Sequence, residues 1–237
     1  MTGSHGPEGD EILLNGNVRI TRGRTVLTAD HGRYVREAGM LYLDDDVEVE
    51  DSTSTLTCDH AEYSEKDDVV KLSGSVTLVD REATLEAPSA VYDRRTGRAD
   101  LFGGVSGTDK ERTLTCDHAV YFRDSLLLQA RGNVKGRDED NKLDLEGQSV
   151  DYDRSTHEAV ATGDPLMRVT DEKGHAAVIR ALSCRLNTET RVAEAIDSVR
   201  VERDTLQRAG GLRAVRRPRP ARVAARSPEG RGTTRPR

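Results

Sequence analysis

The sequence predicts an all-β protein built from repeats of about 29 residues, each contributing two antiparallel strands. A phrase that ends in tyrosine recurs at a fixed step, with copies ending at Tyr34, Tyr63, Tyr92 and Tyr121. A second phrase of the form L-x-G-x-V moves along the chain by the same step. Apolar residues at every second position indicate a strand with one buried face. An internal period of this length favours stacked units over one thick core.

The composition also favours thin stacked units. Hydrophobic residues make up 35% of the 237-residue chain and aromatic residues 3%, with no Trp and two Phe. This apolar content is low for a globular core, whereas charged residues reach 33%. Narrow apolar stripes buried between neighbouring repeats fit this composition.

The tyrosine phrase contains the triplet Cys-Asp-His twice, at residues 58–60 and 116–118, which raises the question of a catalytic or metal site. In the weaker copies the cysteine position holds Ala29 and Ala87. A nucleophile or metal ligand cannot be replaced by a methyl group, whereas a small buried side chain can, because free cysteine packs as a small hydrophobe. No ligand pair at zinc-finger spacing lies nearby. We therefore expect free, buried cysteines at these positions.

The alternating phrase carries glycine at its centre, at Gly16, Gly74, Gly103 and Gly132, with Asp45 in the remaining copy. Glycine weakens the interior of a strand, so a geometric reason is expected. We predict a sharp bend at this position, where two walls of a folded sheet meet. Polar segments between the two phrases predict the connecting turns. These segments are residues 36–39, 64–68, 93–97 and 153–157.

Charge and composition divide the chain into three parts. Residues 11–206 carry the repeats, and residues 1–10 are expected to form a disordered leader that lacks the basic and apolar regions of a secretory signal. Residues 207–237 contain ten Arg and one acidic residue, about +9, which leaves about −15 on the remainder. We expect this Arg- and Pro-rich tail to be disordered. Its charge suits an anionic surface, and the alternative is a degraded or artefactual end of the repeats.

Several functional classes lack support in the sequence. No run of apolar residues is long enough for a transmembrane helix. The acidic runs at 44–46 and 138–141 lack the frame of a calcium-binding loop, and Glu48 and Glu50 lack an apolar pocket that would shift a pKa. Nothing resembles a phosphate-binding loop. We expect no catalytic residue, no cofactor, no bound metal and no nucleic-acid partner.

The alternation of L-x-G-x-V-x-L with L-x-A-D-x-A-x-Y over about residues 10–204 resembles the OstA/LptA family of lipopolysaccharide-transport proteins, which includes the amino-terminal domain of the outer-membrane assembly protein. The phrases LNGNVRITRGRTVLTADHGRY and LSGSVTLVDREATLEAPSAVY carry the resemblance, together with Gly163-Asp164-Pro165. The resemblance implies a repetitive antiparallel β-jellyroll, a folded-sheet stack whose apolar interior holds lipid A acyl chains. It also implies a periplasmic protein, with outer-membrane association as an open alternative, although no signal peptide is visible.

Strand parity and the resemblance together predict the residues that line a lipid-binding groove. The candidates share the inward parity of the two phrases: Leu14, Val18, Leu56, Leu72, Val76, Leu85, Leu101, Val105, Leu114 and Val134. Aliphatic side chains suit flexible acyl chains, because such contacts depend on buried area more than on directed polar groups. The same positions must stabilise the stack, so core packing is the alternative role for each.

These observations predict non-catalytic carriage of lipopolysaccharide across the periplasm for outer-membrane assembly. Open-ended stacks have unpaired end strands, so we expect edge pairing with other β-jellyroll transport proteins, including head-to-tail self-association. The candidate edges lie around residues 12–20 and 199–201. The alternative function is a structural β-solenoid or filament-forming scaffold whose core is filled and which binds no lipid.

Overall fold

A computed structural model describes residues 2–6, 9–50, 53–81 and 83–203. Within these ranges the chain forms seventeen strands of one sheet, and no described residue is helical. The strands are β1 (Thr2–Gly6), β2 (Gly9–Arg22), β3 (Thr25–Val35), β4 (Met40–Glu50), β5 (Ser54–Ser64), β6 (Val69–Asp80), β7 (Ala83–Asp93), β8 (Arg98–Asp109), β9 (Arg112–Phe122), β10 (Leu127–Asp138), β11 (Leu143–Asp153), β12 (Glu158–Thr162), β13 (Leu166–Thr170), β14 (Ala176–Arg180), β15 (Ser183–Asn187), β16 (Val192–Ile196) and β17 (Arg200–Arg203). The predicted all-β fold class is confirmed.

The first eleven strands form an antiparallel meander in which each strand pairs with the next. Beyond β11 two short strands take the place of each long one. The second half of β11 pairs with β12 and its first half with β13. The sheet then continues as two ribbons, one through β12, β15 and β16 and the other through β13, β14 and β17.

Each even-numbered strand from β2 to β10 bends at the centre of the alternating phrase, where the sequence carries a glycine or, in β4, Asp45. Gly74 has a φ of 77° and Ser75 a φ of 49°, so two successive residues occupy the left-handed region. Asp45 and Asp46 adopt the same conformation, with φ values of 64° and 49°. Few residues other than Gly, Asn and Asp accept this region. The register with both neighbouring strands shifts at the same point, which confirms the predicted bend.

The bends divide the sheet into two walls, which are joined along one side and end in hairpin turns along the other. The tyrosine wall consists of β12, β15, β16 and the strand segments 11–15, 31–35, 40–44, 60–64, 69–73, 89–93, 98–102, 118–122, 127–131 and 149–153. The facing wall consists of β13, β14, β17 and the segments 18–22, 25–29, 47–50, 54–58, 76–80, 83–87, 105–109, 112–116, 134–138 and 143–147. We call the two rows of turns the lips of the groove.

Backbone hydrogen bonds continue from the strands into the turns of the tyrosine lip. Arg94 N donates to Asp68 O at 3.1 Å, and Arg123 N donates to Gly97 O at 3.0 Å. Arg154 N repeats the contact with Leu126 O at 3.1 Å. Each turn is therefore bonded to the turn of the preceding repeat, and the lip is a continuous stacked edge.

The start of the chain differs from the expected disordered leader. Residues 2–6 form β1, which pairs with residues 9–13 at the beginning of β2. This segment has no apolar alternation, and backbone pairing with an exposed strand does not require one. The predicted tail, residues 207–237, lies outside the described residues. The described part of the chain holds no helix long and apolar enough to cross a membrane.

Candidate functional site: an apolar groove between two walls

The structure places all ten predicted groove residues in one hydrophobic cluster between the walls. Seven of them are buried: Val18, Leu72, Val76, Leu85, Leu101, Val105 and Val134. The other three are partly buried and pack against the cluster: Leu14, Leu56 and Leu114. The inward parity of these positions agrees with the structure, and their contact with a lipid stays a prediction.

The ten residues fall into two structural groups. Seven of them flank the bends, two positions before or after the central residue: Leu14, Val18, Leu72, Val76, Leu101, Val105 and Val134. Val76 and Leu101 are each 1% exposed, because the walls converge at the bend and leave no free volume there. Leu56, Leu85 and Leu114 lie farther from the bends, and Leu85 and Leu114 border an open cavity. Core packing therefore accounts for the residues at the bends, whereas Leu85 and Leu114 are available to a ligand.

The cavity lies between the two walls from β7 to β17 and has a volume of about 1500 Å³. This volume exceeds the roughly 300–1000 Å³ that is typical of small-molecule pockets. Many aliphatic residues that line it were missed from the sequence, among them Leu128, Leu143, Leu145, Met167, Val169 and Ile179. Apolar alternation in LDLEGQSVDY, residues 143–152, was a signal for two of them. The spacing between repeats changes there, with Tyr152 standing 31 residues after Tyr121, which obscured the pattern.

Two tyrosine-wall residues contact the facing wall across the open side of the groove. The Tyr121 hydroxyl donates a hydrogen bond to the carboxylate of Asp80, at the end of β6. Arg154 Nη1 lies 3.9 Å from Asp80 Oδ2 on the same carboxylate. Burial and the neighbouring Asp80 carboxylate raise the pKa of Tyr121 to about 12. Tyr121 therefore stays protonated, and able to donate to Asp80, throughout the physiological range.

Arg112 makes a second contact between the lips, reaching from the facing wall to the tyrosine wall. It stands at the start of β9 on the facing wall, where its Nη2 lies 3.2 Å from Asp109 Oδ2. Its Nη1 crosses to the tyrosine wall and donates to the hydroxyl oxygens of Tyr152, at 2.7 Å, and Thr188, at 2.8 Å. We call Asp80, Arg112, Tyr121, Tyr152 and Arg154 the latch.

The tyrosines of the first two repeats find partners within their own wall. Tyr34 donates to Glu65 Oε2 at 3.1 Å, and Tyr63 donates to Asp68 Oδ1 at 2.9 Å. Both acceptors belong to turns of the tyrosine lip. Equivalent residues of the repeat therefore stabilise one lip in the early repeats and connect the two lips at the latch.

The Cys-Asp-His triplets are divided between the two faces of the sheet. Cys58 and Cys116 point into the cluster. The Cys58 thiol donates a hydrogen bond to the backbone oxygen of His60, at 3.3 Å. Burial raises the pKa of the Cys58 thiol to about 11. His60 lies on the outer surface, with its Nδ1 2.9 Å from Asp44 Oδ1. The prediction of free, buried cysteines is confirmed for Cys58 and Cys116, and Cys184 is free and buried as well.

Metal-binding chemistry finds no support at the triplets. His60 pairs with the single carboxylate of Asp44, and His118 Nε2 lies 3.6 Å from Asp100 Oδ1. The equivalent histidine of a weaker copy, His31, lies with its Nδ1 3.2 Å from Asp45 Oδ2. Over the described ranges, no three His, Cys, Asp or Glu residues are grouped so as to hold a metal ion.

The two ends of the stack expose strand edges. Residues 18–22 of β2 pair with β3 alone among the described strands, whereas residues 9–13 are covered by β1. At the other end, β16 pairs with β15 and β17 with β14. Val192 and Val201 on these two strands are about half exposed, at 48% and 50%. The predicted edge at 199–201 thus coincides with a terminal strand, and the one at 12–20 is covered in its first part.

A family model described as LptA/(LptD N-terminal domain) LPS transport protein matches residues 7–126, which is just over half of the chain. The chain belongs to this family. Membership assigns it a role in lipopolysaccharide transport. The match covers the regular 29-residue repeats up to the turn after β9, and the cavity extends beyond it to β17.

Among solved structures, the chain is similar to LptH, described as the LptA-homologous periplasmic component of the conserved lipopolysaccharide transport device from Pseudomonas aeruginosa. The two share 15% sequence identity, with a TM-score of 0.43. The match covers 46% of this chain and 82% of that chain. No curated protein matches the chain.

Proposed function

We propose that the chain binds and carries lipopolysaccharide without catalysis, holding lipid A acyl chains between its two walls. The observation that carries this proposal is the aliphatic cavity of about 1500 Å³ in a member of a lipopolysaccharide-transport family. Its lining includes Leu85, Leu114, Leu145 and Ile179, all from strands whose inward face is apolar. A flexible hydrocarbon chain matches such a surface because the attraction grows with buried area.

The energetics of acyl-chain burial favour this assignment. Each methylene group transferred from water to an apolar site contributes roughly 0.8 kcal/mol, so a chain of about ten methylenes contributes roughly 8 kcal/mol before the entropic costs of binding. Directed polar contacts are not needed for affinity of this size. The polar head of the lipid would remain at the lips, where Arg112 and Arg154 border the cavity.

We place this carriage in the periplasm, as one step in outer-membrane assembly. Terminal edges at β2 and at β16 and β17 suit strand addition by other β-jellyroll transport proteins or by a second copy of the chain. Half-exposed Val192 and Val201 favour such pairing at the later end. Edge pairing would extend the groove from one protein into the next.

Photo-crosslinking at two adjacent positions of β9 tests the proposal. Leu114 borders the cavity, and the next residue, Thr115, is exposed on the outer face. A photoreactive amino acid at Leu114 should crosslink to radiolabelled lipopolysaccharide, and the same residue at Thr115 should not. If neither position crosslinks in a protein whose circular dichroism shows folded β-structure, lipid carriage is wrong and the filled structural scaffold takes its place.

A further inference from the structure

The latch lies at one level of the groove and joins walls that are also held together at the bends. Arg112 and Tyr121 stand near the two ends of the same strand, β9, and reach opposite lips. Their partners Asp80 and Tyr152 come from β6 and β11, which the twist of the sheet brings to this level. The groove is therefore bridged on its open side as well as on its joined side here.

Burial distinguishes the charged groups of the latch from other charged groups at the lips. The side chains of Asp80 and Arg154 are 8% and 16% exposed, whereas Arg95, in an earlier turn of the tyrosine lip, is 63% exposed. Charged groups removed from water require partners. The latch supplies these partners across the gap, so closing the lips satisfies both sides together.

Apolar lining continues on both sides of the latch. The cavity borders it through Arg112, Tyr152 and Arg154. Toward the start of the chain, Leu56 and Leu78 face the same cluster and are only partly buried. The groove thus has an early section and a later chamber, and the latch bridges the lips between them.

We propose that the latch is a gate through which lipid reaches the chamber from the early section of the groove, an inference that rests on the proposed function. A lipid whose chains lie between the walls and whose head lies outside must occupy the slit between the lips. Any contact across that slit blocks its movement along the groove. The latch must therefore separate each time a head group passes.

The contacts of the latch suit repeated opening. They are hydrogen bonds and two loose ion pairs, which Arg154 makes with Asp80 and Asp109, and water or a polar head group can replace each of them in turn. The apolar cluster at the bends stays buried during such a movement, because only the lips separate. Opening is therefore a local event that leaves the repeats intact.

A covalent bridge across the lips tests the gate. Asp80→Cys and Tyr121→Cys, in a chain whose native cysteines are replaced by Ala, are joined with a short bis-maleimide. Photoreactive residues at Leu56 and, separately, at Leu143 then report lipopolysaccharide in the early section and in the chamber. We expect the bridge to slow labelling at Leu143 by about tenfold or more, with labelling at Leu56 unchanged.

The control bridge joins Glu62→Cys to Lys71→Cys, which lie opposite each other on β5 and β6 within one wall. It should leave labelling at Leu143 unchanged. The double variant Arg112→Gln/Tyr121→Phe, verified as folded by circular dichroism, weakens the latch without a bridge and should speed labelling at Leu143 several-fold.

Equal labelling rates at Leu143 with and without the bridge across the lips would overturn the gate and leave lipid carriage in place. Absence of labelling at both Leu56 and Leu143 in the unbridged protein would instead contradict the proposed function. The two failures are therefore distinguishable in one experiment.

Discussion

Val47 on β4 lies directly opposite Cys58 on β5, and both side chains are buried beside the bend. The same pairing joins Val76 to Ala87 and Val105 to Cys116. The position opposite the valine therefore holds either a thiol or a methyl group within one protein. Size and burial define this slot, and the reactivity of the thiol does not.

Replacing Cys58 with Ala should preserve the fold and lipid carriage. The change removes one buried sulfur atom and should lower the free energy of unfolding by about 1 kcal/mol, because alanine already fills the slot in other repeats. Urea denaturation monitored by circular dichroism measures the change. The reverse substitution, Ala87→Cys, is the matched control and should be nearly neutral. Loss of lipid crosslinking in Cys58→Ala at unchanged stability would contradict a purely packing role.

Gly74→Ala should destabilise the protein more than Gly16→Ala. Both glycines have positive φ, of 77° and 73°, so each substitution incurs backbone strain of about 1 kcal/mol. A Cβ on Gly74 would also lie 2.6 Å from Asp59 Cβ, whereas a Cβ on Gly16 meets nothing within 4 Å. We expect the unfolding free energy of Gly74→Ala to fall by about 2–4 kcal/mol. Equal losses for both variants would show that the clash with Asp59 relaxes freely.

Stability should depend on pH through Tyr121 at the alkaline end. Its folded-state pKa is raised from the ordinary value of 10 to about 12, so the folded protein holds this proton more tightly than the unfolded chain. The contribution to stability is present below about pH 10 and is lost as the pH rises toward 12. Urea denaturation between pH 8 and 12 should show this decline. Tyr121→Phe should have a shallower decline, and equal slopes for the two proteins would exclude Tyr121 as the cause.

Leu143→Asp should weaken binding of lipopolysaccharide by about tenfold or more, because a carboxylate in the cavity must lose water when acyl chains enter. Leu143 borders the cavity and is partly buried, so the fold should survive. Glu146→Lys, on an exposed position of the same strand, is the control and should leave binding unchanged. Equilibrium crosslinking at Leu114 measures both variants. Unchanged binding by folded Leu143→Asp would show that the acyl chains do not occupy this chamber.

Much of the architecture follows from the period of the sequence. The fixed step places Gly74 at a bend and Val76 on the inward face. Successive side chains of a strand point to opposite faces of the sheet, whatever the opposite wall contains. Parity does not reveal how far apart two walls stand. Val76 and Leu85 share the inward parity, yet Val76 is enclosed at the bend and Leu85 borders open volume.

The latch could not be predicted from the repeat phrases. Arg112 and Tyr152 lie 40 residues apart and belong to different strand ends, so their contact depends on the accumulated twist of the sheet. Tyr34 and Tyr121 occupy equivalent positions in the sequence, and the structure gives them partners on different walls.

The strands of successive repeats pair in the same register, so the groove can be lengthened or shortened by whole repeats. Excision of residues 26–54 would join Thr25 to Thr55, which takes the place of the equivalent Val26 one period earlier, and every remaining strand would keep its neighbour on the correct face. Each unit adds two strands with a spacing of about 4.8 Å between neighbours, so each unit lengthens the stack by about 10 Å. The distance that such a protein spans can therefore be changed in whole units without redesigning its cross-section.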